Sequence, residues 1–430
     1  MAERYRLIAE LTNLTPLYLG DAEQRCELRP PAVKGPLRFW YRAIDPEFRD
    51  HEPRFFGGRG EGAGQAPFAL RLRGPSEEAA FGPEWPEGEV RRFDDTRFGG
   101  GRKTRNGVKY LGFPFASKDH RSRNWLRPGA QLRLQADVLR AIPKSADGER
   151  FRRALVASIW LLCHFGGLGS RSRRGFGSLH LTAWTVQVLG RGGVDGWPEL
   201  AALPLLHSAR SEGEWIRDAE RAITTMRDWF KEFDARSVRH PFLGPRYRLL
   251  VAGGIPAQEQ AAPPARRPGP PGRESAPGAR PTSGWMAALN NLGRMMQDFR
   301  VRAAPDYQSV KDHLTGARRL TTLPERATFG LPIAFAYSEV RDRATFVPYD
   351  RDAAERGEPL ERHPSLLLAR LVRLGTNLHP AFIRLDGPIP GVEGKPGAVR
   401  GQRLPLAPPG PGARTTMDAF LAHLTGGGRR

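Results

Sequence analysis

The residues with the clearest chemical potential lie in one stretch in the first half of the chain, HFGGLGSRSRRGFGSLHL, at residues 164–181. Glycine permits positive φ and leaves no side chain that would hold a ligand away from the backbone. Arginine binds phosphate through paired hydrogen bonds, and successive amides of a glycine turn can form an anion-binding nest. The pattern predicts a phosphate-binding loop whose binding residues are Gly166, Gly167, Gly169, Ser170, Arg171, Arg173, Arg174 and Gly175.

Two nucleotide-binding motifs do not fit this loop. A dinucleotide fingerprint needs Gly-x-Gly-x-x-Gly between a strand and a helix, but Ser172 stands where the third glycine should be. The stretch also follows a predicted helix and precedes a predicted strand, which is the opposite order. A P-loop ends in Gly-Lys-Ser/Thr, and this sequence contains no such run. We therefore exclude both motifs.

A polynucleotide is then the favoured ligand, because the arginines between Gly169 and Gly175 would contact successive phosphates. The structural alternative is a glycine cap at the end of a helix, followed by an exposed basic turn. Residues 174–177, Arg-Gly-Phe-Gly, also match the start of the RNA-recognition-motif signature, but Ser178 and Leu179 break it. A standard RNA-recognition motif is therefore excluded, whereas a related sheet is not.

A second basic set precedes the loop, in ELRPPAVKGPLRFWYRAI. Lys34, Arg38 and Arg42 recur every four residues and would form one row on a helix whose first turn holds Pro36. The apolar residues of the same stretch form a stripe that would face the core. Such a row is usually a solvated helix face, and RNA contact is the alternative interpretation.

The charge of the whole chain points to a polyanionic partner. Its 430 residues carry a formal net charge of +21, and the pI is about 10.9. This favours nucleic acid or an acidic membrane surface. No basic amphipathic helix with an exposed aromatic face supports the membrane alternative, and no apolar stretch approaches the length of a membrane span. The opening MAERYRLIAE is charged from its third residue, so we predict no signal peptide and a cytoplasmic protein.

The sequence favours binding over catalysis. Only Cys26 and Cys163 are present, which excludes a disulfide scaffold and a cysteine-rich zinc site. The sequence has no His-Asp doublet, so we predict no catalytic residue, no metal and no cofactor. The alternative is a metal-independent ribonuclease that uses His164 as its acid or base. Because His164 ends an apolar helix, a packing role is the stronger interpretation.

The elements that would position these residues indicate an α+β fold with two domains, at 1–205 and 206–430. Each domain shows a run of strand, helix, strands, helix, glycine turn and strand. Period-2 alternation predicts strands at residues 5–11, 107–115 and 129–139, and helical spacing predicts helices at 150–165, 212–233, 285–299 and 365–374. A segment rich in proline, glycine, alanine and arginine, at about 255–284, is predicted to be a disordered insertion, and the end of the chain is a Pro/Gly-rich tail.

These pieces resemble a known family. Gly166 to Arg171 and Gly175 to Ser178 resemble the glycine-rich loop of the RAMP superfamily of CRISPR-associated proteins. LTPLYLGD and LRPPAVKGPLRFWYRA resemble the amino-terminal signature of one family within it, the first RAMP subunit of the type III-B (Cmr) effector complex. The segments RFFGG, YLGF, NNLGRMMQDFR, TFGLPIAF and RHPSLLLARL follow in the expected order, so the likeness covers most of the chain.

The resemblance implies two tandem ferredoxin-like (RRM-like) domains and a non-catalytic place at the head of a ribonucleoprotein that acts in antiviral defence. Its implied partners are guide (CRISPR) RNA near the 3′ end, target single-stranded RNA and other RAMP subunits, without a membrane. By position, the implied RNA path is lined by Lys34, Arg38, Arg42, Arg171, Arg173 and Arg174. Some RAMP proteins process guide RNA without metal, so an endoribonuclease that uses His164 is the alternative.

Overall fold

The computed structural model describes residues 3–20, 25–58, 64–82, 84–95, 105–116, 123–190, 193–194, 196–234, 240–256, 284–302, 306–320, 324–331, 333–335, 337, 339–340, 344–348, 364–387, 397–399, 402–404 and 416–425. The helices in these ranges are α1 (Pro30–Ile44), α2 (Phe48–Phe56), α3 (Glu87–Val90), α4 (Gly107–Leu111), α5 (Ala146–His164), α6 (Pro198–Ala202), α7 (Glu212–Phe230), α8 (Gly284–Arg302), α9 (Asp306–Thr315) and α10 (Thr416–Leu424). The strands are β1 (Arg4–Asn13), β2 (Phe68–Arg73), β3 (Phe81–Gly82), β4 (Trp125–Leu126), β5 (Gln131–Val138), β6 (Leu179–Leu189), β7 (Gly193–Val194), β8 (Arg248–Val251), β9 (Ile255–Pro256), β10 (Ile333–Phe335), β11 (Ala344–Pro348), β12 (Leu367–Leu374), β13 (Asn377–Arg384), β14 (Gly397–Val399) and β15 (Gln402–Leu404).

The largest sheet has the spatial order β2-β5-β1-β6-β7, and each of its neighbouring strands pairs antiparallel. Four of its strands and two helices follow one another along the chain in the order β1, α1, β2, β5, α5 and β6. The remaining sheets have the orders β10-β11-β14-β15, β12-β13-β8 with β9 beside β13, and β3-β4. The chain therefore has a mixed α/β fold with antiparallel sheets.

Alternation in β1 places one set of side chains in the core. Leu7, Ala9 and Leu11 are buried, and β5 contributes the buried Leu132 and Leu134 to the same side of the sheet. This is the period-2 burial predicted for a strand with one covered face. The same side is covered by α1 and α5, which pack on each other and on the sheet.

The chain divides into two compact units, each built from several segments. The first unit comprises residues 1–231, 251–294 and 369–381. It contains the five-stranded sheet, and the apolar faces of α5 and α7 are buried.

The second unit comprises residues 232–250, 295–368 and 382–430. It contains α9, α10 and the β10-β11-β14-β15 sheet. One apolar cluster of this unit consists of Val310, Leu320, Ala327, Leu331, Phe335, Tyr337, Ala344 and Phe346.

Several predicted elements are confirmed, and α1 differs at its start. The helices predicted at 150–165, 212–233 and 285–299 correspond to α5, α7 and α8, and the strand predicted at 129–139 is β5. We predicted Pro36 in the first turn of α1, but the helix begins at Pro30, and Pro36 lies inside it. Pro30 and Pro31 occupy the first turn, where a missing N–H costs nothing.

Two predicted elements were wrong. Residues 107–115, expected as a strand, form α4 and a following 3₁₀ turn, because the Asn106 side chain caps the helix by accepting the Lys109 amide at 2.9 Å. Residues 365–374, expected as a helix, form β12, in which nearly every residue is buried. A short apolar run that is buried on both faces has no periodicity that distinguishes a strand from a helix.

The predicted insertion at 255–284 falls mostly outside the described residues, since only its ends, in β9 and at the start of α8, are described. Among the described helices, none combines the length and the apolar character needed to cross a bilayer.

Candidate nucleic-acid interface

Residues 165–178, here called the glycine loop, connect the end of α5 to the start of β6. The helix ends as predicted, where glycines begin: the amide of Gly166 still reaches back to the carbonyl of Leu161 at 2.9 Å. The amide of Leu168 then donates to the carbonyl of Gly177 at 3.0 Å, so the two ends of the loop are hydrogen-bonded to each other. The loop is therefore a closed structure rather than an open turn.

The glycines of the loop are required by close contacts within the protein. Gly169 and Gly177 have φ values of 79° and 61°, and a Cβ on either would overlap a carbonyl, that of Tyr18 or of Leu168. A Cβ on Gly166 would lie 2.8 Å from the Leu162 carbonyl oxygen. The atoms that approach the loop backbone closely therefore belong to the protein itself.

Several amides of the loop are already engaged. Those of Ser170 and Gly177 donate to the carbonyls of Tyr18 and Pro16, both at 2.9 Å. With Leu168 bonded to Gly177 as well, these three amides do not form the anion nest that the glycine pattern suggested. These three amides are therefore not available to a phosphate at the loop.

A buried hydroxyl network fixes the end of the loop. The Thr15 and Ser178 hydroxyls both donate to the carbonyl of Gly175, at 2.7 and 2.9 Å. The Ser178 amide donates back to the Thr15 hydroxyl at 3.0 Å, and the amide of Leu371 donates to the Ser178 hydroxyl at 3.1 Å. A fully satisfied buried network of this kind favours one conformation.

Arg370, which the sequence analysis missed, bridges both ends of the loop. Its guanidinium is 2% exposed and donates to the carbonyl of Gly166 at 3.0 Å and to that of Leu179. Burial lowers its pKa to about 9, against a small opposing effect of Cys163. A buried cation held by carbonyls is a device for positioning backbone, because removing it would leave those carbonyls unsatisfied. No local signal identifies it, since Arg370 is 204 residues from Gly166.

The arginines of the loop lie at its outer edge. Arg171 has a φ of 63°, an uncommon conformation for a side-chain-bearing residue, and its Nε donates to the carbonyl of Leu111 at 2.7 Å. The guanidinium of Arg173 lies 4.7 Å from the centre of the Phe39 ring. The backbone of Arg174 forms a parallel bridge with Ala369. Three cations are thus placed close together by backbone and ring contacts.

Electrostatics shows how closely these cations are crowded. Burial lowers the pKa of both Arg171 and Arg173 to about 10, and in each case the charge of Arg174 lowers it further in the same direction. Like charges disfavour each other's ionised form, and an anion would relieve that repulsion. The loop edge is therefore suited to bind a polyanion. Beside it, Ser170 accepts a 3.4 Å hydrogen bond from Arg123, a further cation that the sequence analysis did not include.

The basic row on α1 has a different environment. The guanidinium groups of Arg38 and Arg42 both donate to Glu52 of α2, a carboxylate that is only 3% exposed, and Arg42 does so at 2.5 and 2.6 Å. Burial would raise the pKa of Glu52, but the hydrogen bonds from Arg42 and Arg38 lower it below its usual value. The charge of this pair of arginines is therefore partly balanced inside the protein.

Lys34, the third member of the row, borders a cavity of about 470 Å³ beside β2. A Cβ added to Gly57, which has a φ of 74°, would lie 3.5 Å from the ammonium of Lys34. The cavity is lined by Pro30, Pro31, Lys34, Arg38, Gly57, Gly58, Gly64, Gln65, Ala66, Phe68, Ala69 and Leu70. Among the described residues that line it, the charged ones are Lys34 and Arg38.

The aromatic residues of these motifs are core residues. Trp40, Tyr41 and Phe176 are at most 1% exposed, so none of them presents a face to a base. Tyr41 donates to Asp45 at 2.6 Å, and Phe176 packs edge-on against Phe115, with ring centres 5.2 Å apart. All three side chains therefore pack in the core.

On the opposite side of the five-stranded sheet, the central strands β1 and β5 present mostly polar side chains rather than an aromatic stacking platform. Side chains that alternate with its buried face are paired with each other: Arg6 lies 2.5 Å from Asp137, and Arg133 lies 2.8 Å from Glu10. The Gln135 amide donates to Asp137 at 2.8 Å. This face of the sheet is polar and internally neutralised.

His164 is poorly placed for acid–base chemistry. It is 4% exposed, and its ring centre lies 4.6 Å from that of Trp160. Burial, and then the charges of Arg370, His180 and His207, hold its pKa well below the usual value. The imidazole is therefore neutral and enclosed. No group of three or more metal-ligating side chains occurs within the described ranges.

Comparison with protein families identifies the chain's relatives. The model of the RAMP superfamily matches residues 10–180, a range that begins in β1, ends in β6 and includes the whole glycine loop. The CRISPR system Cmr subunit Cmr1-2 of Pyrococcus furiosus is 25% identical over 193 residues, which cover 41% of this chain and 94% of that protein.

Solved structures share the fold over nearly the full length. The crystal structure of apo Cmr1 from Pyrococcus furiosus gives a TM-score of 0.51 at 15% identity and covers 98% of this chain and 96% of that one. A chain of the type III-B Cmr-β complex, solved by cryo-electron microscopy with cognate target RNA, gives a TM-score of 0.50 at 12% identity and covers 99% of both chains. At these identities the likeness demonstrates a common fold.

Proposed function

Because this chain belongs to the RAMP superfamily, as a relative of the Cmr1 subunits of CRISPR systems, we propose that it is a non-catalytic RNA-binding subunit of a type III-B effector complex. In this role it contacts the 3′ region of the guide RNA and the target RNA at the head of the complex, beside other RAMP subunits, in antiviral defence. The Cmr-β assembly that shares its fold was solved bound to target RNA, which supports RNA as the ligand.

The observation that carries the proposal is the crowding of Arg171, Arg173 and Arg174 at the edge of the glycine loop. Each of the first two has its pKa lowered by the third as well as by burial. Arginine presents a planar fork that matches phosphate geometry, so a backbone of regularly spaced phosphates would neutralise all three. Lys34 and Arg38, at the cavity beside β2, would extend the path.

The predicted architecture forms part of the proposal. The five-stranded sheet has β1 between β5 and β6, and α1 and α5 follow β1 and β5 along the chain. This arrangement supports a ferredoxin-like amino-terminal domain at 1–205. We propose a second ferredoxin-like domain at 206–430, with the insertion and the tail as its additions.

A guide-processing endoribonuclease is the weaker alternative. General acid–base catalysis needs a side chain within hydrogen-bond reach of the reacting atoms. The burial of His164 and its low pKa both oppose that role. The proposed subunit requires no cofactor for RNA binding.

A salt titration of single-stranded RNA binding tests the proposal. We would compare the full chain with Arg171→Asn/Arg174→Gln, in which asparagine tolerates the positive φ at residue 171. Each lost phosphate contact flattens the slope of log K against log salt by about 0.7, so the double variant should lose about 1.4. Denaturing gels of the same RNA, run without metal, would show whether it stays intact.

The matched control is Arg71→Gln/Arg133→Gln, which removes the same formal charge from the internally paired face of the sheet. These arginines lie beside Asp137 and Glu10 and are half-exposed. The control should keep the wild-type slope. Equal losses in both variants would mean that binding follows net charge alone, and an unchanged slope in the loop variant would overturn the assignment of the loop.

A further inference from the structure

Phe113 is the most exposed of the large apolar side chains in the described ranges. It is 71% exposed, whereas the next, Leu139, is 44% exposed. It lies in the sequence GFPF, which the sequence analysis assigned to a strand and which is a 3₁₀ turn after α4. Single exposed apolar residues are common on proteins, so the exposure alone carries no conclusion. Two further features of this turn, its packing and its contact with the glycine loop, bear on the role of Phe113.

The turn that carries Phe113 packs on buried aromatic side chains. Phe115 is buried and stacks on Tyr18, with ring centres 3.8 Å apart. A Cβ on Gly112 would lie within 3.1 Å of the Phe176 ring and 2.8 Å of the Trp85 ring, so the backbone rests directly on buried aromatics. One phenylalanine of GFPF is thus an anchor, and Phe113 is presented outward on a fixed support.

The same turn is joined to the arginines of the glycine loop. The Arg171 side chain donates to the carbonyl of Leu111 at 2.7 Å, two residues before Phe113. Two residues of chain span at most about 7 Å, so the backbone of Phe113 lies close to the Leu111 carbonyl that the Arg171 side chain contacts. An aromatic face next to clustered cations is the arrangement with which proteins bind single-stranded nucleic acid.

We propose that Phe113 stacks an unpaired base of the RNA whose phosphates the glycine-loop arginines bind. This inference rests on the proposed function and adds the binding mode, which is single-stranded and depends on a base. RNA suits the site better than a protein partner does. An apolar partner surface would desolvate the guanidinium of Arg171 without pairing its charge, which is unfavourable. A nucleotide of RNA offers both a base that can stack on Phe113 and a phosphate that can bind arginine.

The test measures the affinity of the full chain for two single-stranded RNAs of equal length at one salt concentration. One RNA carries its bases, and the other carries abasic ribose units with the same phosphates. The variants are Phe113→Ala, Phe113→Leu and Phe113→Trp, and Leu139→Ala is the control for loss of an exposed apolar side chain. Thermal melts verify that all the variants are folded.

We expect Phe113→Ala and Phe113→Leu to weaken binding of the normal RNA about tenfold. Phe113→Trp and Leu139→Ala should bind as wild type, and no variant should change affinity for the abasic RNA. The inference is overturned if Phe113→Ala binds as wild type, if Phe113→Leu retains affinity, or if the loss persists on abasic RNA. In all three cases an arginine-dependent salt slope would still support the proposed function. A wild-type chain that lacks that slope would overturn both.

Discussion

Arg38 and Arg42 on α1 converge on one buried carboxylate of α2, whereas Arg171, Arg173 and Arg174 lie close to one another at the glycine loop. There, burial and then the charge of Arg174 lower the pKa values of Arg171 and Arg173. Both regions read as basic stretches in the sequence. Glu52 supplies a countercharge to Arg38 and Arg42. A row of basic residues in a sequence can therefore be balanced by a carboxylate from another element of the fold.

The difference also separates stability from binding. Removing a member of a buried ion pair is costly because the partner is left uncompensated. Crowded cations, in contrast, are a source of strain in the free protein, which an anionic ligand relieves. We expect substitutions on α1 to act mainly on folding and those at the loop edge mainly on RNA affinity.

The largest expected effect comes from comparing a glycine of the loop with a glycine of α1. Gly177→Ala should destabilise the fold by at least about 3 kcal/mol, because alanine at a φ of 61° would overlap the Leu168 carbonyl. Gly35→Ala, on the exposed side of α1 with open space around it, should stabilise by about 0.5–1 kcal/mol. Urea denaturation of both variants measures this. A Gly177→Ala protein with wild-type stability would contradict the packing role of the glycines.

The second prediction sharpens the role of the countercharge. Glu52→Gln should lower the free energy of unfolding by about 1–3 kcal/mol, because hydrogen bonds from two arginines to a carboxylate are weakened. The lower half of that range is expected, since Arg38 and Arg42 are 32% and 44% exposed and can be rehydrated. If the α1 row lies on the RNA path, the freed cations should also raise RNA affinity about two- to fivefold.

Glu10→Gln is the control for that experiment, because it removes one carboxylate that is paired with Arg133 on the polar face of the sheet. Its RNA affinity should match the wild type. Equal gains in Glu10→Gln and Glu52→Gln would show that only net charge matters, and no gain in either would remove Arg38 and Arg42 from the RNA path.

The third prediction uses pH to test the same pair. The pKa of Glu52 is lower in the folded protein than its ordinary value of 4.5. Its contribution to stability is therefore fully present above about pH 4.5 and is lost as the pH falls through the lower folded value. The difference in melting temperature between wild type and Glu52→Gln should shrink as the pH falls from 6 to 3. A difference that stays constant across this range would mean that the carboxylate is not held by the arginines.

Elements with a local signal were predictable from the sequence. Strand alternation placed Leu7, Ala9 and Leu11 on one buried face, and helical spacing predicted α5 and α7. The prediction failed for β12, where nearly every residue on both faces is buried, and for α4, whose formation depends on the Asn106 cap. The difference is physical, because periodicity exists only where one face of an element is exposed.

For the candidate site, residue types were predictable and their surroundings were not. The sequence shows Arg38, but Glu52 lies 14 residues further along, on another helix. It shows Gly166, but the arginine that holds the carbonyl of that glycine is 204 residues away. Long-range contacts of this kind decide whether a glycine or an arginine serves the fold or a ligand. The RNA-binding role of the predicted residues stays a prediction.

The smallest expected effect concerns the residue at the junction of α5 and the loop. His164→Gln should leave the half-life of bound RNA unchanged, because the neutral imidazole is enclosed beside Trp160 and its Nε2 has no hydrogen-bond partner in the described structure. His51→Gln, at a partly exposed site on α2, is the matched control. Denaturing gels of RNA incubated without metal provide the measurement. Cleavage that is present in wild type and in His51→Gln, but lost in His164→Gln, would instead assign chemistry to this histidine. The loop would then hold RNA for cutting, and its contrast with α1 would be one of catalysis as well as charge.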